Sequence, residues 1–245
     1  MNKTPMKTLL VCGALLAGAL TLPAKADLIG LWSFEGDATD GSGNSHDGDL
    51  VDAEFSDDVP EALPGGQSLS LADGAHILVP HSEFLSITDA ITISVFVKPG
   101  ENEWEGIIGK NPSDGSGDNH AGNYELRIEN GSRQLHFLHQ QGGNNDTAFH
   151  QSSESMIESD VWSHVAITAD VESGDVNFYV NGELTETLEG IITLDAFPTN
   201  ENPLFIGSRA DLFTGFDGLM DELSLWNEVL DADRIMLLAN GPASL

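Results

Sequence analysis

After residue 26 the chain is a succession of short apolar or alternating runs, separated by turns rich in Gly, Asn, Asp and Ser. In one of these runs Ile91, Ile93 and Val95 alternate with Thr92 and Ser94. A period of two residues is typical of a strand with one face in a core, because successive side chains point to opposite faces. The same reasoning predicts strands at Leu28–Phe34, Ser68–Leu71, His76–Val79, Ile91–Val97, Glu105–Lys110, Tyr124–Ile128, Gln134–Leu138, Trp162–Ala169, Val176–Val180, Glu183–Leu188, Leu204–Gly207 and Gly218–Leu225.

The turns between these runs indicate how the strands are connected. Asn181-Gly182 lies between two β-rich runs, and Asn-Gly favours a two-residue hairpin turn because both of its residues readily adopt positive φ. Only the segment 231–240 has a helical pattern, with Asp231 as its N-cap. Many short strands followed by one helical turn predict an all-β fold. We expect an antiparallel β-sandwich, or jelly roll, with one short C-terminal helical segment.

Residues 1–26 have the pattern of a cleaved secretory signal. A start with two lysines precedes an apolar run of about 14 residues, and Ala24-Lys25-Ala26 supplies small residues at a cleavage site. A membrane anchor would need about 20 apolar residues, and Val11 is larger than the residue expected before a lipid-modified Cys12. We therefore expect cleavage after Ala26, a secreted or periplasmic protein without membrane insertion, and one domain over residues 27–245.

Charge and cysteine content narrow the classes of partner. The chain has 40 acidic and nine basic residues, and three of the basic residues lie in the predicted signal. Such a surface repels phosphate backbones and anionic lipid, so nucleic acid is excluded as a partner. The acidic residues are spread along the chain, which favours adaptation to salt over a disordered acidic tail and is compatible with cation binding. Because Cys12 is the only cysteine, no disulfide stabilises the mature chain.

Three stretches, in order, resemble the LamG-like jelly roll of the concanavalin A-like lectin/glucanase superfamily. The first is LIGLWSFEGDATDGSGNSHDGDL at the start of the mature chain. The second comprises ITISVFVKPG and WSHVAITADVESGDVNFYVNGEL, and the third is FDGLMDELSLWNEVLDADRI. The resemblance covers nearly all of the mature chain and implies the fold. It leaves the function open, because this fold supports many unrelated functions.

The opening loop is a candidate calcium site. Glu35, Asp40 and Asn44 lie in a Gly-rich turn, and Ca²⁺ takes six to eight oxygen ligands from carboxylates, amides and carbonyls. The resemblance implies that this loop lies beside the closing strand, with Asp40 and Asp221 as side-chain ligands and backbone carbonyls near residues 44–46 completing the shell. The alternative is that Asp40 and Asn44 only cap turns while Asp221 accepts backbone hydrogen bonds.

Catalysis is the less favoured interpretation of the sequence. Glycoside hydrolases of the superfamily carry Glu-x-Asp-x-x-Glu on one strand, and no segment here has that register. Asp221 and Glu222 are adjacent, so on a regular strand they would face opposite ways. The segment with Glu125 and Arg127 resembles part of an alginate-lyase motif but lacks its other members. The histidines lack zinc-site spacing, and the resemblance implies that His164 is a packed core residue.

A ligand surface would be formed by an aromatic platform and polar loops. Trp104, Asn119, His120, Asn123 and His139 are the candidates, although Trp104 is equally compatible with a core position. The favoured hypothesis is a calcium-stabilised, secreted carbohydrate-binding or adhesive module for polysaccharide or cell-surface glycan. The alternatives are a structural module that binds other surface proteins and a diverged polysaccharide lyase or glycoside hydrolase.

Overall fold

The computed structural model describes residues 28–72, 74–101, 104–111, 122–129, 131–141, 147–153, 157–210, 212 and 215–242. The predicted signal, residues 1–26, lies outside these ranges, as do Asn119 and His120. In the described ranges the strands are β1 Leu28–Trp32, β2 Asp49–Val51, β3 Glu54–Ser56, β4 Ser68–Leu71, β5 His76–Val79, β6 Ala90–Pro99, β7 Trp104–Gly109, β8 Glu125–Glu129, β9 Leu135–Gln140, β10 Thr147–Gln151, β11 Ser163–Asp170, β12 Val176–Val180, β13 Glu183–Leu188, β14 Leu204–Ile206 and β15 Gly218–Trp226. A short 3₁₀ helix spans Glu83–Leu85, and the helix α1 spans Ala232–Leu238.

The strands form two antiparallel sheets, which confirms the predicted sandwich. Within the described residues the first sheet has the order β13-β12-β11-β6-β15-β4-β3, and β1 also pairs with β15. The second sheet has the order β10-β9-β8-β7-β14-β5-β2. In the middle of each sheet, at β11-β6-β15-β4 and at β7-β14-β5, the neighbouring strands come from distant parts of the chain, as in a jelly roll. This topology brings the opening strand β1 directly against the closing strand β15.

The main core lies between the sheets, and the central strand β6 is buried on both faces. Its inward residues Ile91, Ile93 and Val95 are at most 1% exposed. On the other face Ser94 is also buried, because β1, α1 and the end of β15 form a second apolar layer there. The prediction of a half-buried strand was therefore wrong for β6. The alternate residues Ile91, Ile93 and Val95 face the main core, and the residues between them face the smaller apolar layer. Both faces of the strand are therefore shielded from water.

The predicted turn and helix are confirmed. Asn181 and Gly182 join β12 to β13 with φ values of 51° and 81°, the left-handed backbone that Asn-Gly tolerates best. The Asp231 side chain accepts a hydrogen bond from the Arg234 N–H and caps α1. A Cβ on Gly182 would lie 2.8 Å from the sulfur of Met236, so this hairpin turn also packs closely against α1.

Three strands, β2, β3 and β10, were absent from the predicted set. β2 and β3 have only three residues each and lie at sheet edges, where the periodic signal is short. β10 is the other edge of the second sheet and alternates buried and exposed residues. Across the described residues, the helices are all too short or too polar to cross a bilayer.

Candidate functional site

The opening loop is held together by the carboxylate of Asp40. Its Oδ1 accepts hydrogen bonds from the N–H groups of Leu31 and Ser42, at 3.0 and 2.8 Å. Its Oδ2 accepts from the His46 N–H at 2.9 Å and from the Ser42 hydroxyl at 2.7 Å. Burial alone would raise the pKa of Asp40, but these donors together hold that pKa below its ordinary value. Asp40 therefore organises the loop as an ionised hydrogen-bond acceptor.

Asn44 and His46 fasten the same loop to β1. The Asn44 amide nitrogen donates to the carbonyl oxygens of Leu28 and Ile29, at 2.8 and 3.0 Å. The His46 carbonyl accepts from the indole nitrogen of Trp32 at 3.0 Å. In the described contacts, Asp40 and Asn44 hold the loop together and join it to β1. The backbone of His46 also holds the loop, because its N–H donates to Asp40 and its carbonyl accepts from Trp32.

Asp221 is not among the contacts of Asp40 described above; it lies beside Glu222 and Glu35. The pairing of β15 with β6 shifts register between Asp221 and Ser224, and Glu222 has a φ of 48°. This bulge lets the adjacent Asp221 and Glu222 line one open pocket of about 210 Å³ together with Glu35. The expectation that the two neighbours face opposite ways applies to a regular strand, and the bulge departs from that geometry.

The three carboxylates form an electrostatically unfavourable group. Asp221 is 3% exposed, and its Oδ1 accepts from the Glu222 N–H at 2.9 Å. Burial, followed by the negative charge of Glu222 and then that of Glu35, raises the pKa of Asp221 to about 8. Glu35 accepts from the Gln67 N–H at 3.0 Å and lies so close to Gly66 that a Cβ there would meet its Oε1 at 2.1 Å.

The oxygen atoms of Asp40 and those of the pocket at Asp221 are not equally suited to bind calcium. The oxygens of Asp40 already accept four hydrogen bonds, so they do not fit a ligand role without rearrangement of the loop. The pocket with Glu35, Asp221 and Glu222 offers the oxygen chemistry that Ca²⁺ prefers, and a cation would neutralise the repulsion there. In the described ranges, however, no three His, Cys, Asp or Glu side chains are already arranged around one point as metal ligands.

A second polar group lies on the second sheet, on the face turned away from the core. In β8 Leu126 and Ile128 enter the core, so Glu125, Arg127 and Glu129 share the opposite face. Strand pairing places His136 opposite Arg127, Trp104 opposite Glu129, and Gln151 opposite His136. We call these six residues, together with Phe149, the outer-face cluster.

Arg127 is the centre of the outer-face cluster. Its guanidinium carbon lies 4.6 Å from the centre of the Trp104 ring and 5.8 Å from that of Phe149. Its Nη1 lies 3.3 Å from Glu125 Oε1, and Glu125 Oε2 accepts from the Asn111 amide at 2.9 Å. Burial lowers the pKa of Arg127, the Glu125 charge opposes that effect, and the positive charge of Arg209 adds to it.

His136 is buried beside Arg127. Burial and the Arg127 charge lower the pKa of His136, so the ring is neutral at pH 7. Its Nε2 lies 3.4 Å from Glu129 Oε2. The His136 ring interacts with the side chains of Glu129 and Gln151, whereas Nε of Arg127 makes no hydrogen bond with the described residues. These buried atoms are shielded from solvent, so a ligand could reach them only if neighbouring side chains moved.

The predicted ligand residues are distributed over several places. Trp104 is partly exposed and belongs to the outer-face cluster. Asn123 is fully buried, and its amide binds the backbone of Ile87 and the Pro198 carbonyl. His139 is 1% exposed with its Nε2 2.9 Å from His150 Nε2, on the core side of β9. Asn119 and His120 lie outside the described residues.

Sequence reasoning did not select Arg127 and His136 as ligand residues. The signal was present in β8, where Glu125, Arg127 and Glu129 alternate with Leu126 and Ile128. Charged residues with a period of two mark the outer face of that strand. His136 and Trp104 reach the same face through the pairing of β8 with β9 and β7. The sequence of a single strand does not predict that pairing.

Known proteins share this architecture. The family model Laminin_G_3, described as the concanavalin A-like lectin/glucanases superfamily, matches residues 71–236. The adhesion G-protein coupled receptor V1 of Danio rerio is 30% identical over 241 residues, which covers 95% of this chain and 4% of the receptor. This chain therefore spans only a small part of that relative.

Two solved structures illustrate the shared fold. Domain 4 of AbnA, a GH43 extracellular arabinanase from Geobacillus stearothermophilus in complex with arabinotriose, superposes with a TM-score of 0.64 at 20% identity and covers 87% of this chain and 98% of that domain. The binding domain of Paraclostridial Mosquitocidal Protein 1 has a TM-score of 0.65 at 18% identity, covering 87% of this chain and 52% of that one.

The two stacked antiparallel sheets define a concanavalin A-like β-sandwich. The chain belongs to the laminin G group of the concanavalin A-like lectin/glucanase superfamily, whose model matches most of its length. It is thereby a module of the carbohydrate- or protein-binding type.

Proposed function

We propose that this protein is a secreted or periplasmic module that binds polysaccharide or cell-surface glycan through the outer-face cluster. The observation that carries the proposal is the partly exposed Trp104 ring, which lies on the outer face of the second sheet beside Arg127 and the half-exposed Phe149 ring. Sugar sites combine an apolar ring face with a few oriented polar groups. The arabinotriose complex of the structurally similar arabinanase domain supports a carbohydrate ligand for this fold.

The proposal favours binding over catalysis. Glu125, the carboxylate nearest to Arg127, is already engaged by that residue and by Asn111. A glycoside hydrolase needs one carboxyl group as acid and another as base or nucleophile, each with access to the scissile bond. The acidic pocket at Asp221 lies on the bulge of β15 in the first sheet, away from the outer face of the second sheet.

Calcium enters the proposal as a stabiliser at the pocket with Asp221, Glu222 and Glu35. The bound ion would supply positive charge there and lower the free energy of a buried group of carboxylates. Asp221 is the most buried of the three, and because burial raises its pKa to about 8 it would release a proton when the ion binds. Asp40 and Asn44 would act indirectly, by holding the opening loop in place.

The test is direct binding of the mature chain, residues 27–245, to immobilised glycans in calcium and moderate salt. The proposal expects retention on at least one polysaccharide class and loss of retention in Trp104→Ala. Trp162→Ala is the matched control, because Trp162 is also partly exposed but lies next to β11 in the first sheet. Absence of binding to every glycan, or equal loss in both variants, would contradict the proposed function.

A protein partner is the second candidate. The observation behind it is the 30% identity to an adhesion receptor over nearly the whole chain. It expects binding to cell-envelope fractions that survives enzymatic removal of glycan. Loss of that binding after glycan removal would instead favour a glycan as the partner.

A further inference from the structure

We propose that a pocket beside Phe84 is a second binding site and that it takes a sugar with a free, protonated amino group. The pocket has a volume of about 190 Å³ and is lined by Ile29 of β1, by Asn227 just after β15, and by residues of the segment 83–89, which joins β5 to β6. We call it the Phe84 pocket. It shares no residue with the outer-face cluster, so the site goes beyond the proposed function.

The first feature of the Phe84 pocket is an aromatic ring in water. Phe84 is 72% exposed, the largest exposed fraction among the large apolar side chains of the described residues. Ile29 and Ile87, each 4% exposed, add a buried apolar part to the wall. Full burial of a side chain such as Phe is worth about 1.5–3 kcal/mol, so a ligand that covers the ring gains part of that free energy.

The second feature is negative charge that a ligand can reach. Glu83 and Asp89 are both exposed, and the described lining of the pocket contains no Lys, Arg or His. One oxygen of Asp89, Oδ2, accepts from the Thr88 hydroxyl at 3.0 Å. A protonated amino group would form charge-assisted hydrogen bonds with these carboxylates, whereas an anionic ligand would be repelled by them. The 40 acidic residues of the chain also attract cations to its surface.

The third feature is the firm attachment of the segment 83–89. The Asn123 side chain accepts from the Ile87 N–H at 2.9 Å and donates to the Ile87 carbonyl at 2.7 Å. The Tyr124 hydroxyl donates to the Leu85 carbonyl at 3.1 Å, and Leu85 is fully buried. Because the segment is already held in place, a ligand would not have to order it on binding. Asn123 is thus a positioning residue of this pocket and does not itself reach a ligand.

These features together favour an amino sugar over other cations. Sugar sites combine an apolar ring face with a few oriented polar groups, and the Ser86 hydroxyl and the exposed Asn227 amide supply such groups here. The volume corresponds to about six water molecules at about 30 Å³ each, which suits a single sugar ring. An ammonium group over the Phe84 ring would add about 0.5–1 kcal/mol at an exposed site. A simple polyamine has the charge but no ring to place on Phe84.

The experiment compares three probes by calorimetry with residues 27–245, in about 0.15 M NaCl, where the screening length is about 8 Å. The probes are the trimer of glucosamine, the trimer of N-acetylglucosamine, which has the same rings without the charge, and spermidine, which has three amino groups without a ring. The glucosamine trimer should bind at least fivefold more tightly than either of the others. Phe84→Ala should weaken its binding at least threefold. The double variant Glu83→Gln with Asp89→Asn should make the two sugar trimers bind equally.

The matched controls are Leu237→Ala, 56% exposed on α1, and the double variant Glu183→Gln with Asp233→Asn, which removes two exposed acids elsewhere. Both should bind the glucosamine trimer like the wild type.

The site would be overturned by equal binding of the two sugar trimers to the wild type, by spermidine binding as tightly as the glucosamine trimer, or by equal losses in the variants and their controls. Failure of the proposed function is separable from these results. Binding of neutral glycan that Trp104→Ala abolishes, together with no preference for the amino sugar, would leave the outer-face site intact and remove the Phe84 pocket.

Discussion

The guanidinium of Arg127 stacks on the ring of Trp104, 4.6 Å from its centre, on the outer face of the second sheet. Strand pairing produces this contact, because it places Trp104 opposite Glu129 and Gly106 opposite Arg127. A cation over an indole face contributes about 0.5–2 kcal/mol, depending on its exposure. The contact fixes both groups in one orientation and so prepares a surface with an apolar and a charged part.

Asp221→Asn tests the acidic pocket. Because the pKa of Asp221 is raised to about 8, the folded state binds more protons than the unfolded state between pH 4 and 8, and the wild type loses stability as pH rises through that range. In chelator, the variant should melt several degrees above the wild type at pH 8, with a smaller difference at pH 5.

Calcium should reverse this order. The ion would bind the wild-type carboxylates and raise the melting temperature, whereas Asp221→Asn should respond much less. Glu183→Gln, an exposed acid on β13, is the matched control and should respond like the wild type. Identical melting curves of the wild type in calcium and in chelator would remove calcium from the proposal.

Asp40 should be structural irrespective of calcium. Asp40→Ala removes the acceptor of four hydrogen bonds and leaves donors of the loop unsatisfied, so we expect a loss of about 2–4 kcal/mol in the free energy of unfolding. Asn44→Ala, at an exposed position, should lose about 1 kcal/mol. Urea unfolding measures both. A small effect of Asp40→Ala in chelator, with a large effect in calcium, would instead make Asp40 a calcium ligand.

Acid sensitivity should depend on His164. This residue is 2% exposed, its Nε2 lies 2.8 Å from the Ser94 hydroxyl, and burial lowers its pKa to about 3. The unfolded state therefore binds a proton that the folded state does not, and stability falls as pH decreases from about 6.5 toward 3.

The double variant His164→Leu with Ser94→Ala removes both polar partners and should flatten this part of the pH profile, by up to about 1.4 kcal/mol per pH unit. Thermal unfolding from pH 7 to pH 4 measures the slope. His81→Asn, at an exposed position, is the control. An unchanged slope in the double variant would assign the acid sensitivity to other groups, among them His150, whose pKa is lowered to about 4 by burial and by the neighbouring His139.

The sequence was most informative where local rules and tertiary packing agree. The alternation in β6 and the Asn181-Gly182 turn predicted a strand and a hairpin that the structure contains. It was least informative at Asp221, because the bulge in β15, where the pairing with β6 shifts register, contains neither Gly nor Pro to mark it. The outer-face cluster could be predicted only in part from the sequence, because Arg127, His136 and Trp104 come together through the pairing of three strands.

The most direct test of glycan binding on the outer face is a nuclear magnetic resonance titration of the indole N–H signals. The chain has four tryptophans; Trp32 and Trp226 are at most 2% exposed, and Trp162 lies next to β11 in the first sheet. As the bound glycan is added, the Trp104 signal should shift and saturate at the calorimetric affinity while the Trp162 signal stays in place. A shift of Trp162 with an unchanged Trp104 would contradict the location of the site.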